Sequence, residues 1–310
     1  MSLARSRGVA LLIAIALTAS VAVFVAALQF QGELQLRRTT NLVRSDQARA
    51  YHLGAEDWAG ALLQREGRDD PDDDLTEPWN QQGLVLPIEG GQLVGTLRDL
   101  QGRFNVNELI KDDGKVDPVA AARFERLLAA LGIEERERIA GALVDWLDAD
   151  QEPHFPFGAE DQTYLRLVPA YRTADRPMLW VGELRTLDGV DAEVYAKLAP
   201  NLAALPERGP LNVNTAPLAV LQSLADESVG DPLTEIVARQ QSAPFADAAE
   251  FARDFGHTIP EGVALATRSK FFALETAVQF DGLTTTMYSL LARTPGGATR
   301  TLRRSSDPEP

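Results

Sequence analysis

The sequence predicts an α+β fold: one long N-terminal helix packed on a small antiparallel sheet, the sheet interrupted by a large all-α insert. Three observations carry this. No proline occurs between Met1 and Gly67 of the 310-residue chain. Short β-like runs cluster between Leu84 and Leu97 and again between Phe271 and Leu302. Between the clusters, from Asp117 to about Lys270, apolar residues recur at helical spacing. A sheet split in this way is completed by chain from both sides of the insert, which is long enough to hold its own core.

The first helix opens with an uncharged run from Val9 to Gly32, 24 residues where a hydrocarbon core needs about 20. Further on, Ala48, Tyr51, Ala55, Trp58 and Leu62 keep a 3-4-3-4 spacing, an amphipathic stripe on a helix continuing to about Gln64. The acidic run Asp69, Asp70, Asp72, Asp73 and Asp74, with Pro71, ends it and reads as a solvated linker. Leu84–Ile88 and Gln92–Leu97 form a hairpin about Glu89-Gly90-Gly91, and Phe104–Asn107 extends the sheet. Short helices are expected at Ala120–Leu131, Glu134–Leu147, Asp191–Leu202, Pro217–Leu224, Pro232–Gln241 and Ala246–Phe255. The chain then reverts to strand, Phe271–Phe280 and Leu283–Arg293. Asp281-Gly282 between them is a strong type I′ turn signal. Ala298–Leu302 is the last strand, and Ser305–Pro310 reads as a disordered tail.

Composition narrows the function. The formal charge is −15, so the surface repels phosphate backbones and argues against nucleic-acid binding by the bulk of the chain. Without cysteine there is no disulfide and no thiolate metal site. His52, His154 and His257 are scattered, with no pair at zinc-ligand spacing and no nucleophile elbow or phosphate loop elsewhere. The reading is non-enzymatic.

Arg7-Gly8 stands directly before the apolar run. A basic leader ending in glycine, ahead of a greasy helix, resembles the class III leader of type IV pilins and pseudopilins. The resemblance implies cleavage by a prepilin peptidase between Gly8 and Val9, with N-methylation of Val9 and retention of the apolar helix. Removing Arg5 and Arg7 with that leader takes the charge to −17. Two other readings compete: a conventional signal-peptidase site at Val25-Ala26-Ala27 releasing a soluble protein, and an uncut signal anchor. Arg5 and Arg7 keep the N-terminal end cytoplasmic, which puts a single-pass anchor in the inner membrane and the bulk in the periplasm of a Gram-negative cell.

Three further stretches narrow the family. They are Asp99-Leu100-Gln101-Gly102-Arg103-Phe104-Asn105-Val106-Asn107; Asp145-Trp146-Leu147-Asp148-Ala149-Asp150 with Gly158-Ala159-Glu160-Asp161-Gln162-Thr163-Tyr164; and Leu211-Asn212-Val213-Asn214-Thr215-Ala216-Pro217. In this order, behind such a leader, they are similar to the minor pseudopilin K family of type II secretion, GspK. The fold implied is pilin-like. The domains expected are leader 1–8, transmembrane or filament-core helix 9–32, pilin-like helix and first strands 33–107, α insert 108–270, returning strands 271–304 and tail 305–310. The resemblance implies a place at the pseudopilus tip, where the chain supports export of folded proteins across the outer membrane. Its implied partners are minor pseudopilins of the I, J and H types, the peptidase and the inner-membrane secretion platform. The lower helix, with Tyr51, Ala55 and Trp58, is the expected partner surface. Most pseudopilins carry glutamate at the fifth mature position; here it is Ile13, so no lone carboxylate sits in the bilayer.

The site candidate is the acidic cluster Asp145, Asp148, Asp150, Glu160 and Asp161. Carboxylates this close repel one another unless a hard cation or solvent relieves them, and calcium takes six to eight oxygen ligands. Asp148 and Asp150 have alternate spacing on a loop, and Gly158 allows the turn that returns Glu160. The family resemblance also implies calcium, with one or two ions. The alternative is a solvated acidic loop with helix caps. Asn212–Pro217 together with Phe245–Phe251 resembles a helix-hairpin-helix module, but Glu227-Ser228-Val229-Gly230-Asp231 replaces the usual glycine hairpin and flanks it with acids. Thr215 ahead of Pro217 is the expected helix cap. Two rivals stay open: a soluble periplasmic calcium-binding or adhesion protein, and a DNA-uptake protein using this module.

Overall fold

The computed structural model of the chain describes residues 3–69, 71–81, 83–225 and 231–306. Helix α1 runs unbroken from Leu3 to Asp69, past the expected end near Gln64. Every residue from Val9 to Val43 is exposed, so the apolar half of the helix projects as a bare stem. One stretch of α1 is long and apolar enough to cross a membrane.

The lower half of α1 packs on a sheet, along a stripe that differs from the expected one. The buried positions are Ala48, His52, Ala55, Glu56, Ala59, Gly60 and Leu63, while Tyr51 and Leu62 are half-buried and Trp58 is 44% exposed. The stripe is rotated because two polar residues belong to it. His52 Nδ1 meets Thr276 Oγ1 at 2.7 Å and Nε2 meets Thr285 Oγ1 at 3.0 Å. The Glu56 carboxylate accepts from Ser289, Thr301 and Arg304. Apolar periodicity cannot register positions whose burial depends on hydroxyls and a guanidinium supplied by distant strands.

Strands β1 (Leu84–Ile88) and β2 (Gly91–Asp99) form the expected hairpin. The chain then leaves the sheet. Phe104–Asn105 does not extend it: this short strand β3 pairs in parallel with Leu202–Ala203 (β4), and Val106–Leu109 is a 3-10 turn. The insert holds helices α2 (Pro118–Ala130), α3 (Arg136–Leu147), α4 (Asp161–Tyr164), α5 (Ala192–Leu198), α6 (Leu218–Gln222), α7 (Asp231–Gln240) and α8 (Ala248–Phe255). Leu211–Asn212 (β5) pairs with Leu265–Ala266 (β6). Local chemistry sets the helix ends. Asp117 caps α2 through the amides of Val119 and Ala120, ahead of Pro118. Asp247 caps α8, which stops at Gly256 with φ 69°. Phe104, Phe124, Leu143, Tyr164, Leu198 and Phe251 belong to one continuous insert core.

Strands β7 (Phe271–Phe280), β8 (Leu283–Arg293) and β9 (Thr299–Ser305) complete an antiparallel sheet of order β1-β2-β7-β8-β9. Asp281 (φ 46°) and Gly282 (φ 80°) turn between β7 and β8 with both φ positive, as a type I′ turn demands. Asp99 ends β2 directly opposite Phe272 at the start of β7, so the insert leaves and re-enters at neighbouring points.

A buried polar joint lies at that point, and it corrects two expectations. Asp73 and Asp74 are buried, not part of a solvated linker: Asp73 pairs with Arg293 and accepts from the Ser269 amide, and Asp74 accepts from Thr76. The sequence run hid this because the Arg293 partner is far along the chain. Thr215 is not a helix cap; its hydroxyl donates to Asp99, which also accepts from Ser269 Oγ and Asn212 Nδ2. Burial pushes Asp99 up to about 6 against these donors. The asparagines of the quoted stretches are clasps: Asn107 spans Met178 and Leu205, and Asn214 bonds both the amide and the carbonyl of Phe245. The hairpin residues Glu227 to Gly230 lie outside the described residues.

Candidate metal centre and assembly surface

The acidic cluster is built where α3 ends and the following loop folds back. Asp145, on the last turn of α3, is fully buried, and its Oδ1 accepts from the His154 amide at 2.9 Å. Gly158 packs against it; a Cβ there would stand 2.2 Å from Asp145 Oδ2 and from His154 N, so the close return of the loop excludes any side chain. That return delivers Glu160. Ligand oxygens of Asp148, Asp150 and Glu160 lie within 4.8 Å of one another.

The electrostatics are those of a site short of positive charge. Burial, then repulsion from Asp150 and Asp145, pushes Asp148 up to about 7. Burial, then Asp145, Asp148, Asp175 and Asp150, pushes Glu160 up to about 8. Asp145 Oδ2, Asp148 Oδ1 and both Glu160 carboxylate oxygens are buried without a hydrogen-bond partner. Buried acceptors left unpaired are costly. This all-oxygen set fits a hard cation of the calcium type, and supplies no soft ligand for zinc or copper.

Two residues change places relative to the sequence reading. Asp161 does not converge with the others; its carboxylate accepts from Thr173 N and Oγ1 and pairs with Arg172. Asp175 was missed. It sits at φ 49°, is held by Gln151 Nε2, and adds its field to Asp148 and Glu160. Its only sequence signal is an acid outside any helical pattern, too weak to select it.

The expected partner surface is also resolved residue by residue. Ala55 faces inward, in a cluster with Ala48, Leu93 and Val278. Tyr51 packs edge-on against Phe280, rings 5.9 Å apart. Trp58 turns outward at the rim of an apolar groove of about 210 Å³ that includes Leu62, Trp79, Leu84 and Leu86. Gly8 and Val9 lie in the first turns of α1, and Val9 is 54% exposed.

Two family models match the chain over residues 102–207 and 211–265, both described as type II secretion system protein K. The type II secretion system protein K of Pseudomonas aeruginosa is 34% identical over 308 residues, covering 96% of this chain and 92% of its own. The chain belongs to the type II secretion system protein K family. A Klebsiella pneumoniae member is 37% identical over 218 residues, 68% of this chain and 67% of its own. The crystal structure of the GspK-GspI-GspJ complex from enterotoxigenic Escherichia coli contains a chain with TM-score 0.76 at 27% identity, covering 87% of this chain and 99% of that one.

Family membership makes this chain a minor pseudopilin of type II secretion. The first family model begins at Gly102, beside the joint at Asp99, and the second begins at Leu211, where β5 starts. Both lie within the stretch that interrupts the sheet. The stretch the family models match is therefore the insert, carried on a stem and sheet of the pilin type.

Proposed function

We propose that this protein K-family chain sits at the tip of the periplasmic pseudopilus with minor pseudopilins of the I and J types, and H beside them, supporting export of folded proteins. The observation that carries this is the structural match over 87% of the chain to a protein solved together with GspI and GspJ. The bare apolar stem supports it, since every residue from Val9 to Val43 is exposed. Prepilin peptidase cuts between Gly8 and Val9, the stem anchors the precursor in the inner membrane beside the secretion platform, and the bulk stands in the periplasm. The insert is too wide to be buried within a helical filament, which favours the end of the assembly. Ile13 adds no charge for a neighbour to neutralise.

Calcium is part of the same reading. Asp148, Asp150 and Glu160 hold the ion, with Asp145 and Asp175 contributing charge around it. The ion staples the loop after α3 to α3 itself and performs no chemistry.

Co-expression of the full chain with its I- and J-type partners tests the assembly. A ternary complex surviving detergent extraction, with a mature N-terminus at Val9 by mass spectrometry, is the expected result. A mature chain beginning near Leu28, or failure to recruit either partner, refutes it.

A further inference from the structure

Away from the acidic cluster, the insert holds a cavity of about 290 Å³ lined by Gln101, Arg103, Asn105, Glu108, Arg123 and Arg208 among others. Most of its polar groups are already engaged. Gln101 spans Pro210 O and Lys270 N, and Asn105 spans Glu207 O and Leu205 N. Arg208 is consumed by Asp117 and by the carbonyls of Glu108 and Ile110.

Arg123 is different. It is 5% exposed, and its Nε is buried with no hydrogen-bond partner. The carboxylate paired with it, Glu108, stands 4.0 Å from Nη1, beyond hydrogen-bond reach. Its guanidinium also lies over the face of Phe104, 5.3 Å from ring centroid to guanidinium carbon, with Asp117 and Arg126 in its field. A buried guanidinium needs planar acceptors, and leaving it short of them is costly. Glu108 also accepts from the Gly209 amide. Arg103 and Arg123 line the cavity together with Glu108, while Arg208 is spent on Asp117. The volume is several times the roughly 30 Å³ that one water occupies in the liquid.

We infer that this cavity binds a small oxyanion of the carboxylate or phosphate class, held by the guanidinium of Arg123. A planar or tetrahedral oxyanion supplies acceptors to a guanidinium that Glu108, at 4.0 Å, does not hydrogen-bond. The opposing carboxylate sets the affinity: it weakens anion binding and would strengthen binding once neutralised.

The test is calorimetric titration of the full chain in detergent micelles with sodium phosphate and, separately, sodium acetate, at fixed pH and at ionic strength held with chloride. Saturable binding of at least one anion is expected. Arg123→Gln should weaken it by about tenfold or more, since a charge-assisted hydrogen bond is lost. Glu108→Gln keeps an acceptor for Gly209 while removing the opposing charge, and should tighten binding by about tenfold. No saturable binding of either anion, or equal affinity in wild type and both variants, overturns the inference. Should Arg123→Gln fail to fold by circular dichroism, Glu108→Gln decides alone: an unchanged affinity overturns it.

Discussion

Asp73 accepts a 2.7 Å hydrogen bond on each carboxylate oxygen from the two terminal nitrogens of Arg293, across a separation of 220 residues. Both side chains are buried, and Arg293 also donates to the Ser269 carbonyl and lies over the Phe272 ring. The pair fastens the segment after α1 to the end of β8. A buried pair of this kind adds little over a well-packed apolar pair, but a lone survivor is a buried charge with no counterion.

Arg293→Ala should therefore cost about 3–5 kcal/mol. Urea unfolding measures it. The Asp73→Ala/Arg293→Ala double variant should be less damaged than the sum of the singles, giving a coupling energy well above 1 kcal/mol. Additive losses would show that the two groups act independently.

The His52 site makes stability depend on pH. Burial lowers its pKa below 6.5, against an opposing pull from Glu56. The unfolded chain then binds a proton that the native state resists, so this contribution is whole above pH 6.5 and shrinks as pH falls below it. Unfolding midpoints between pH 7 and pH 5 should drop more steeply in wild type than in His52→Gln. Parallel profiles would remove His52 from the account.

Calcium should raise the thermal midpoint of the full chain and chelator should lower it; at a hundredfold excess over Kd the gain is about 2.7 kcal/mol. Asp148→Asn and Glu160→Gln should abolish the response, while Asp161→Asn, whose partners are Thr173 and Arg172, should retain it. A chelator-insensitive wild type refutes the metal.

Gly158→Ala tests the same loop by sterics. With Asp145 Oδ2 only 2.2 Å from the new methyl group, the loop must shift, at about 1–3 kcal/mol. Calcium affinity should fall with it. Wild-type affinity would mean that the loop's return does not shape the centre.

Trp58→Ala should separate folding from assembly. The ring is 44% exposed, so stability should change by no more than about 1 kcal/mol. Co-purification with the I- and J-type partners should weaken markedly. An undiminished complex would move the interface elsewhere on α1.

The architecture was legible because it rests on local signals: an unbroken apolar run, a proline-free helix, Asp281-Gly282, and short helices with acids at their starts. What escaped is polar and long-range. His52 and Glu56 are buried only because Thr276, Thr285, Ser289 and Arg304 meet them across the fold. Asp73 reads as solvated until Arg293 is placed beside it. In the acidic cluster, Asp148, Asp150 and Glu160 converge on the strength of spacing and one glycine, whereas Asp161 is captured by Thr173 and Asp175 enters from a separate turn. Such pairings need the tertiary frame, which no single stretch encodes.

Because Asp99 and Phe272 are register partners on adjacent antiparallel strands, everything between Leu100 and Lys270 occupies the place of an ordinary hairpin loop. The strands keep their threading whatever fills that seam, but the head is keyed to it through Asn212, Thr215 and Ser269, which satisfy Asp99 and Asp73.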